Sequence, residues 1–232
     1  MALTDSVDIY CERIGTAFWA EPFNALSNAA FVLAALWALV TLSQRIKSGG
    51  APAAPIDRAL IALAALIGVG SFLFHTFANR WSEWADTLPI WSFVGLYVFA
   101  AITDAPRTTP RKRAITGGIV TLVVGYIVAM TATGEAAETN AVDPLNGSGQ
   151  YAPALIALLI VTAIATRRRS PAARWFALAT SAFLISLFFR TFDMAWCETW
   201  PVGTHFMWHL LNGLMVGFLL QARIRSPRLT AA

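Results

Sequence analysis

The chain has 232 residues, 57% of them hydrophobic and only 13% charged, with a mean hydropathy of +0.59. A soluble domain carries about a quarter charged residues, so a water-facing surface is excluded and the bilayer is the solvent that fits. The net charge of +4 does not point to nucleic acid, because the basic residues sit in loop clusters between apolar runs.

The first 22 residues contain Asp5, Asp8, Glu12 and Glu21 and lack a basic stretch followed by an apolar one. No cleavable signal peptide is therefore expected, and the first membrane helix is expected to drive insertion. Crossing the hydrocarbon core takes roughly 17–25 apolar residues. Seven runs reach or approach that length, over residues 25–42, 59–77, 88–102, 115–131, 152–166, 175–189 and 205–220. Most lack a periodic apolar face, as helices surrounded by lipid and other helices do. The second run is rich in small residues (Ala62, Ala64, Ala65, Gly68, Gly70), which permit close helix contact.

The spacing predicts an all-α, integral membrane seven-helix bundle, one domain over residues 1–232. Its loops alternate in charge. One side holds Arg45, Lys47 and Arg58, then Arg107, Arg111, Lys112 and Arg113, then Arg167, Arg168, Arg169 and Arg174, then Arg223, Arg225 and Arg228. The other side holds only Arg13, Arg80 and Arg190, together with the acids Asp8, Glu12, Glu21, Glu135, Glu138 and Asp143. By the positive-inside rule the N-terminus is outside and the C-terminus cytoplasmic. In a bacterium this is the inner membrane; in a eukaryotic cell the same topology faces the lumen of the endoplasmic reticulum or Golgi.

The three histidines fall at one depth. His75 lies 17 residues beyond Arg58, about 26 Å above the cytoplasmic end, and His209 lies 14 residues before Arg223, about 21 Å from it. His205 and His209 are spaced i, i+4 and share a helix face. Two such imidazoles and a third from another helix make a catalytic zinc set with an open position. Ser71, i−4 from His75, and Asp86, across a short turn at Asn79-Arg80-Trp81, come to the same end of the bundle. Ionisable groups at membrane depth are rare and default to a functional reading. Taken singly each residue has a plainer explanation: a hydrogen-bonded histidine, a serine packed beside Gly70, an aspartate capping a helix. Three histidines at one depth are harder to explain that way.

These residues resemble a known family. Gly70-Ser71-Phe72-Leu73-Phe74-His75, Asp86 eleven residues on, and His205-Phe206-Met207-Trp208-His209 are similar to the alkaline ceramidases, part of a wider group of seven-helix membrane hydrolases that includes the adiponectin receptors. Cys11-Glu12, the run from Glu21 to Asn28 and the segment from Asp193 to Glu198 carry the likeness along nearly the whole chain. The resemblance implies that His75, His205 and His209 bind Zn2+, that Asp86 is the acid/base, and that Ser71 supports the site. The substrate class it implies is a ceramide-like membrane lipid cleaved at its amide to a sphingoid base and a fatty acid.

The resemblance also implies Ca2+ near the zinc on Glu12, Glu21 and Asp8. There the match is incomplete: Ile9 follows Asp8, Ile14 stands where a polar ligand is expected, and the interval between the glutamates is shorter. The acids serve equally well as caps of the first helix or partners of Arg13. Cys11 and Cys197, both exoplasmic in this topology, suggest a disulfide, as the family's matching pair does. Asp193 is expected either to orient a zinc-bound imidazole or to pair with Arg190.

Other seven-helix functions fit less well. A retinal protein needs an intramembrane lysine, and Lys47 and Lys112 are both in loops. An i, i+4 histidine pair on one helix cannot clamp both faces of a haem. A transporter would show repeats and broken helices at the midplane. A non-catalytic lipid receptor that keeps the zinc set is the serious rival.

Overall fold

The computed structural model describes residues 2–103, 109–133 and 143–226. Arg107, Glu135, Glu138 and Arg228, which entered the charge-based topology, lie outside the described residues.

The chain is all-helical. A short helix α1 (Pro22–Ser27) leads directly into α2 (Ala29–Lys47); α3 (Pro55–Phe77), α4 (Arg80–Thr103) and α5 (Pro110–Thr133) follow. A single 3-10 turn (Ser148–Tyr151) opens α6 (Ala152–Arg167), then come α7 (Ala173–Phe192) and α8 (His205–Arg225). Counting α1 and α2 as one span gives seven long helices among the described residues. Five, from Pro22–Lys47 to Ala173–Phe192, are long and apolar enough to cross a membrane. The other two are α5, which carries Arg111, Lys112 and Arg113 in its first turn, and α8, interrupted by His205, His209, Asn212 and Gln221. This is a multi-pass membrane protein.

Sequential helices pack as neighbours from α2 to α5 and from α6 to α8, and α8 closes against α2. The core lies between α2, α3 and α8, where Phe31, Ala38, Leu60, Ala64, Leu220 and Ile224 are buried. One end of the core is tied by Asp57, which caps the start of α3 through the Ala54 N–H at 3.1 Å and accepts Arg223 Nε at 2.8 Å. The histidines lie at the other end.

The apolar runs located each long helix among the described residues but clipped its polar ends. The largest difference is α4, which begins at Arg80 rather than near residue 88. The turn expected over Asn79-Arg80-Trp81 is therefore mostly first helical turn: Asn79 Oδ1 accepts the Ser82 N–H at 3.2 Å and its carbonyl accepts the Glu83 N–H at 2.9 Å. Arg80, Ser82 and Glu83 lower the hydropathy without breaking the backbone ladder. Asp86 consequently sits inside α4.

Gly70 sets how closely α3 and α4 approach at that depth. A Cβ at position 70 would collide with the Ala85 carbonyl oxygen. Pro89, four residues on, removes the N–H that this carbonyl would otherwise accept. The freed carbonyl faces a residue with no side chain, and Ser71 and Asp86 come together beside it.

The N-terminal segment is strapped across this end. It runs along the α3–α4 turn, where Val7 N–H donates to Ala78 O at 2.8 Å and Arg80 N–H to Asp5 O at 3.1 Å. A disulfide joins Cys11 to Cys197 with a Cα–Cα distance of 5.4 Å.

Candidate active site

His75 comes from the last turn of α3, and His205 and His209 from the first two turns of α8; all three are buried. One nitrogen from each lies within 4.8 Å of the others. The outward nitrogens of His75 and His209 are engaged. His75 Nδ1 bonds Glu21 Oε2 at 2.5 Å, and a carboxylate only accepts, so Nδ1 carries the proton. His209 Nδ1 lies 2.8 Å from Ser27 Oγ. The Ser27 hydroxyl donates its only proton to Asn24 O at 2.9 Å, so it accepts from Nδ1–H of His209.

Both rings then turn an unprotonated Nε2 inward, and these two atoms stand 3.1 Å apart. Lone pairs facing at that distance repel unless a cation lies near both. Two nitrogens on one tetrahedral zinc at roughly 2.05 Å would be about 3.3 Å apart. His205 adds a buried Nδ1 with no hydrogen-bond partner. The three residues fit a divalent metal ion, and the outer hydrogen bonds of His75 and His209 are of the kind that orient metal-ligating imidazoles. The Tyr10 ring stacks on His205 with centroids 3.9 Å apart.

Asp86 lies beside this cluster. The Ser71 hydroxyl lies next to its carboxylate, and its Oδ1 is buried without a hydrogen-bond partner. Ser71, Asp86, Arg190, His205 and His209 line a cavity of about 120 Å³. A second cavity of about 400 Å³, almost wholly apolar, adjoins it; Phe31, Ile67, Ile90, Trp91, Tyr151 and Trp208 line both. A small chamber that carries the polar groups thus adjoins an apolar one of the size that takes a small-molecule ligand.

A family model described as Ceramidase matches residues 4–225. The chain belongs to the ceramidase family. A search of curated proteins found no match.

Ceramidase-family membership suggests a hydrolase acting on a lipid, and the sequence-predicted His75, His205, His209, Asp86 and Ser71 are brought to one cavity edge. The acidic set expected for calcium is arranged differently. Asp8 is exposed. Glu12 accepts the Phe23 N–H at 2.7 Å and the Asn24 N–H at 2.8 Å, one on each carboxylate oxygen. Glu21 is occupied by Arg13 Nε, His75 Nδ1 and Asn24 Nδ2. Among the described residues these three acids do not converge as a metal-holding group, and a guanidinium already neutralises Glu21. The donor set does not fit calcium. Burial works to raise the Glu21 pKa, but the His75 contact, Asn24 and Arg13 outweigh it and hold the carboxyl below its ordinary range.

The Asp193 carboxylate bonds neither an imidazole nitrogen nor Arg190. Its Oδ1 accepts the Thr204 N–H at 2.7 Å and the His205 N–H at 2.9 Å, and its Oδ2 the Cys11 N–H at 3.2 Å. It thereby caps α8 and sets the position of His205, and a carboxylate there also complements the helix dipole. Gly203, at φ +64°, makes room for it, since a Cβ would strike both Asp193 and Cys11.

Sequence reasoning missed Glu21 and Ser27 as the groups that orient His75 and His209, and Tyr10 and Arg190 as cavity residues. A signal existed for the first two: Glu21, Asn24, Ser27 and Asn28 form a polar stripe at i, i+3 and i+4 spacing at the start of an apolar helix.

Proposed function

We propose that this protein is a zinc-dependent membrane hydrolase that cleaves the amide bond of a ceramide-like lipid, releasing a sphingoid base and a fatty acid, with its site on the exoplasmic side. The observation that carries this reading is the pair of Nε2 atoms 3.1 Å apart, at the edge of a cavity lined by His209, Asp86 and Ser71 that adjoins an apolar chamber.

His75, His205 and His209 would hold the metal, which when bound supplies Lewis acidity toward an oxygen and a nucleophilic water at neutral pH. Glu21 and Ser27 keep the imidazoles in the tautomer that binds. Asp86, in reach of the cavity through its unpartnered Oδ1, takes the proton from the attacking water and returns it to the amine nitrogen as the C–N bond breaks. Ser71, beside Asp86, offers its hydroxyl to the carbonyl oxygen as negative charge develops there. The apolar chamber takes the acyl chain directly from the bilayer, so the lipid need not pass through water.

The test is purification in detergent, elemental analysis for bound metal, and an assay of fatty-acid release from a panel of N-acyl sphingoid lipids. About one zinc per chain is expected, lost in His205→Ala, with cleavage lost in His205→Ala and Asp86→Asn. Zinc retained with no lipid amide cleaved would overturn the hydrolase reading, and absence of zinc would overturn the metal site.

A further inference from the structure

Arg190, in the last turn of α7, is 8% exposed and lines the same small cavity as Asp86, His205 and His209. A buried guanidinium is ordinarily matched by a carboxylate, because desolvating an unpaired charge is costly. Here no carboxylate among the described residues forms an ion pair with it. Its neighbours are the rings of Tyr151 and Trp208, 5.5 and 5.2 Å from the guanidinium carbon, and the Tyr10 hydroxyl. Its Nε is buried with no hydrogen-bond partner. Gly147 lies against the outer edge, where an added Cβ would be 3.0 Å from Nη2.

Tyr151 and Trp208 meet the guanidinium with the faces of their rings, and a ring face cannot satisfy the N–H groups, the buried Nε among them. Asp86 shares the cavity without pairing to it, and Glu83, the other acid in the lining, is bonded to Arg80 at 2.8 Å. A planar fork of N–H donors matches a carboxylate two bonds at a time, whereas a neutral hydroxyl takes one and leaves the charge uncompensated.

We propose that Arg190 makes this cavity a carboxylate receptor that holds the acidic group of an acyl lipid beside the histidine cluster. Two sources share that chemistry. One is the fatty acid formed by amide cleavage, which leaves its carboxylate in this cavity. The other is an acidic head group next to the amide nitrogen, as in an N-acyl amino acid. The proposal deepens the hydrolase reading and rests on it for the place of the amide, but its test is a binding equilibrium that needs no turnover.

The experiment uses the full-length, metal-loaded protein in detergent. Calorimetry compares a long-chain fatty acid with the matching alcohol, and an N-acyl glycine with its methyl ester. Wild type is expected to favour each acid over its neutral partner by roughly tenfold to a hundredfold. In Arg190→Gln the preference should fall by at least about tenfold, and Arg190→Lys, which keeps the charge without the fork, should lie between. Bound metal and far-UV circular dichroism establish that each variant is folded; if Arg190→Gln is not, the lysine variant and the wild-type preference decide. An Arg190-dependent preference for the fatty acid alone assigns a product site. One that includes N-acyl glycine assigns an acidic substrate. No preference in wild type, or one unchanged in the folded variants, overturns the proposal. Arg190-dependent acid binding with no amide cleaved would leave the receptor standing and remove the hydrolase.

Discussion

Replacing Glu21 with glutamine separates two jobs done by one carboxylate. Glu21 is 2% exposed and sits between the buried Arg13 guanidinium, whose side chain is 4% exposed, and Nδ1 of His75. Glutamine keeps the shape and an acceptor but removes the charge. On the metal side, loss of a group that orients a ligating histidine costs roughly tenfold to a hundredfold in affinity, or about 1.4–2.7 kcal/mol. On the folding side, the variant leaves Arg13 buried without its counter-charge. Breaking one partner of a buried pair costs about 3–5 kcal/mol, and the lower end is expected because Arg13 also donates to the carbonyls of Gly15 and His75. Stability should therefore fall more than metal affinity. The double variant Arg13→Gln/Glu21→Gln removes the orphaned charge, so it should recover much of the stability but none of the zinc affinity. The assays are competition for zinc against a chromogenic chelator and thermal unfolding in the same detergent. Zinc affinity within about threefold of wild type in Glu21→Gln, well short of that range, would refute the idea that Glu21 orients His75. Recovery of affinity in the double variant would show that Arg13, not Glu21, governs the site.

Gly70→Ala should push α4 away from α3 at Ala85; catalysis is expected to fall at least about tenfold through misplacement of Asp86 while bound zinc is retained, and loss of zinc instead would mean the whole site had collapsed. Cys197→Ser, or reduction of the native protein, opens a link between residues 186 apart and is expected to destabilise by about 2–5 kcal/mol; coincident melting curves with and without reductant would contradict this. Calcium at millimolar concentration should leave Tm unchanged, because a site weaker than about 1 mM contributes under about 0.4 kcal/mol there; a clear rise would show that the acids rearrange around the ion. Ala154→Phe narrows the apolar chamber and should shift cleavage toward shorter acyl chains, measured across a chain-length series; an unchanged profile would place the acyl chain elsewhere.

Much of this protein was legible in the sequence because the bilayer imposes its constraints locally. Each span must be apolar and hydrogen-bonded within itself, so a one-dimensional reading of hydropathy finds the seven long helices among the described residues. It errs where polar residues extend a helix without interrupting its ladder, as at Arg80–Glu83. The i, i+4 spacing of His205 and His209 puts both on one face whatever surrounds them. Ser71 and Asp86 are brought to the same end by a short connection between adjacent helices. What the sequence left open are contacts between segments far apart in the chain. Whether Glu21 meets calcium or His75 depends on where Arg13 lands, and that follows from the strap along the α3–α4 turn and its disulfide to residue 197. Asp193 looked equally able to serve an imidazole or Arg190; the fold instead presents it with the free N–H groups that open α8. Arg190 itself reads as one exoplasmic basic residue among few, and only the packing of α7 against Tyr151 and Trp208 turns it into the cavity. Spacing along a helix determines which residues can share a face. Which partner a buried charge receives is decided by the tertiary structure, because compensation of that charge depends on distances between segments that the local pattern does not encode.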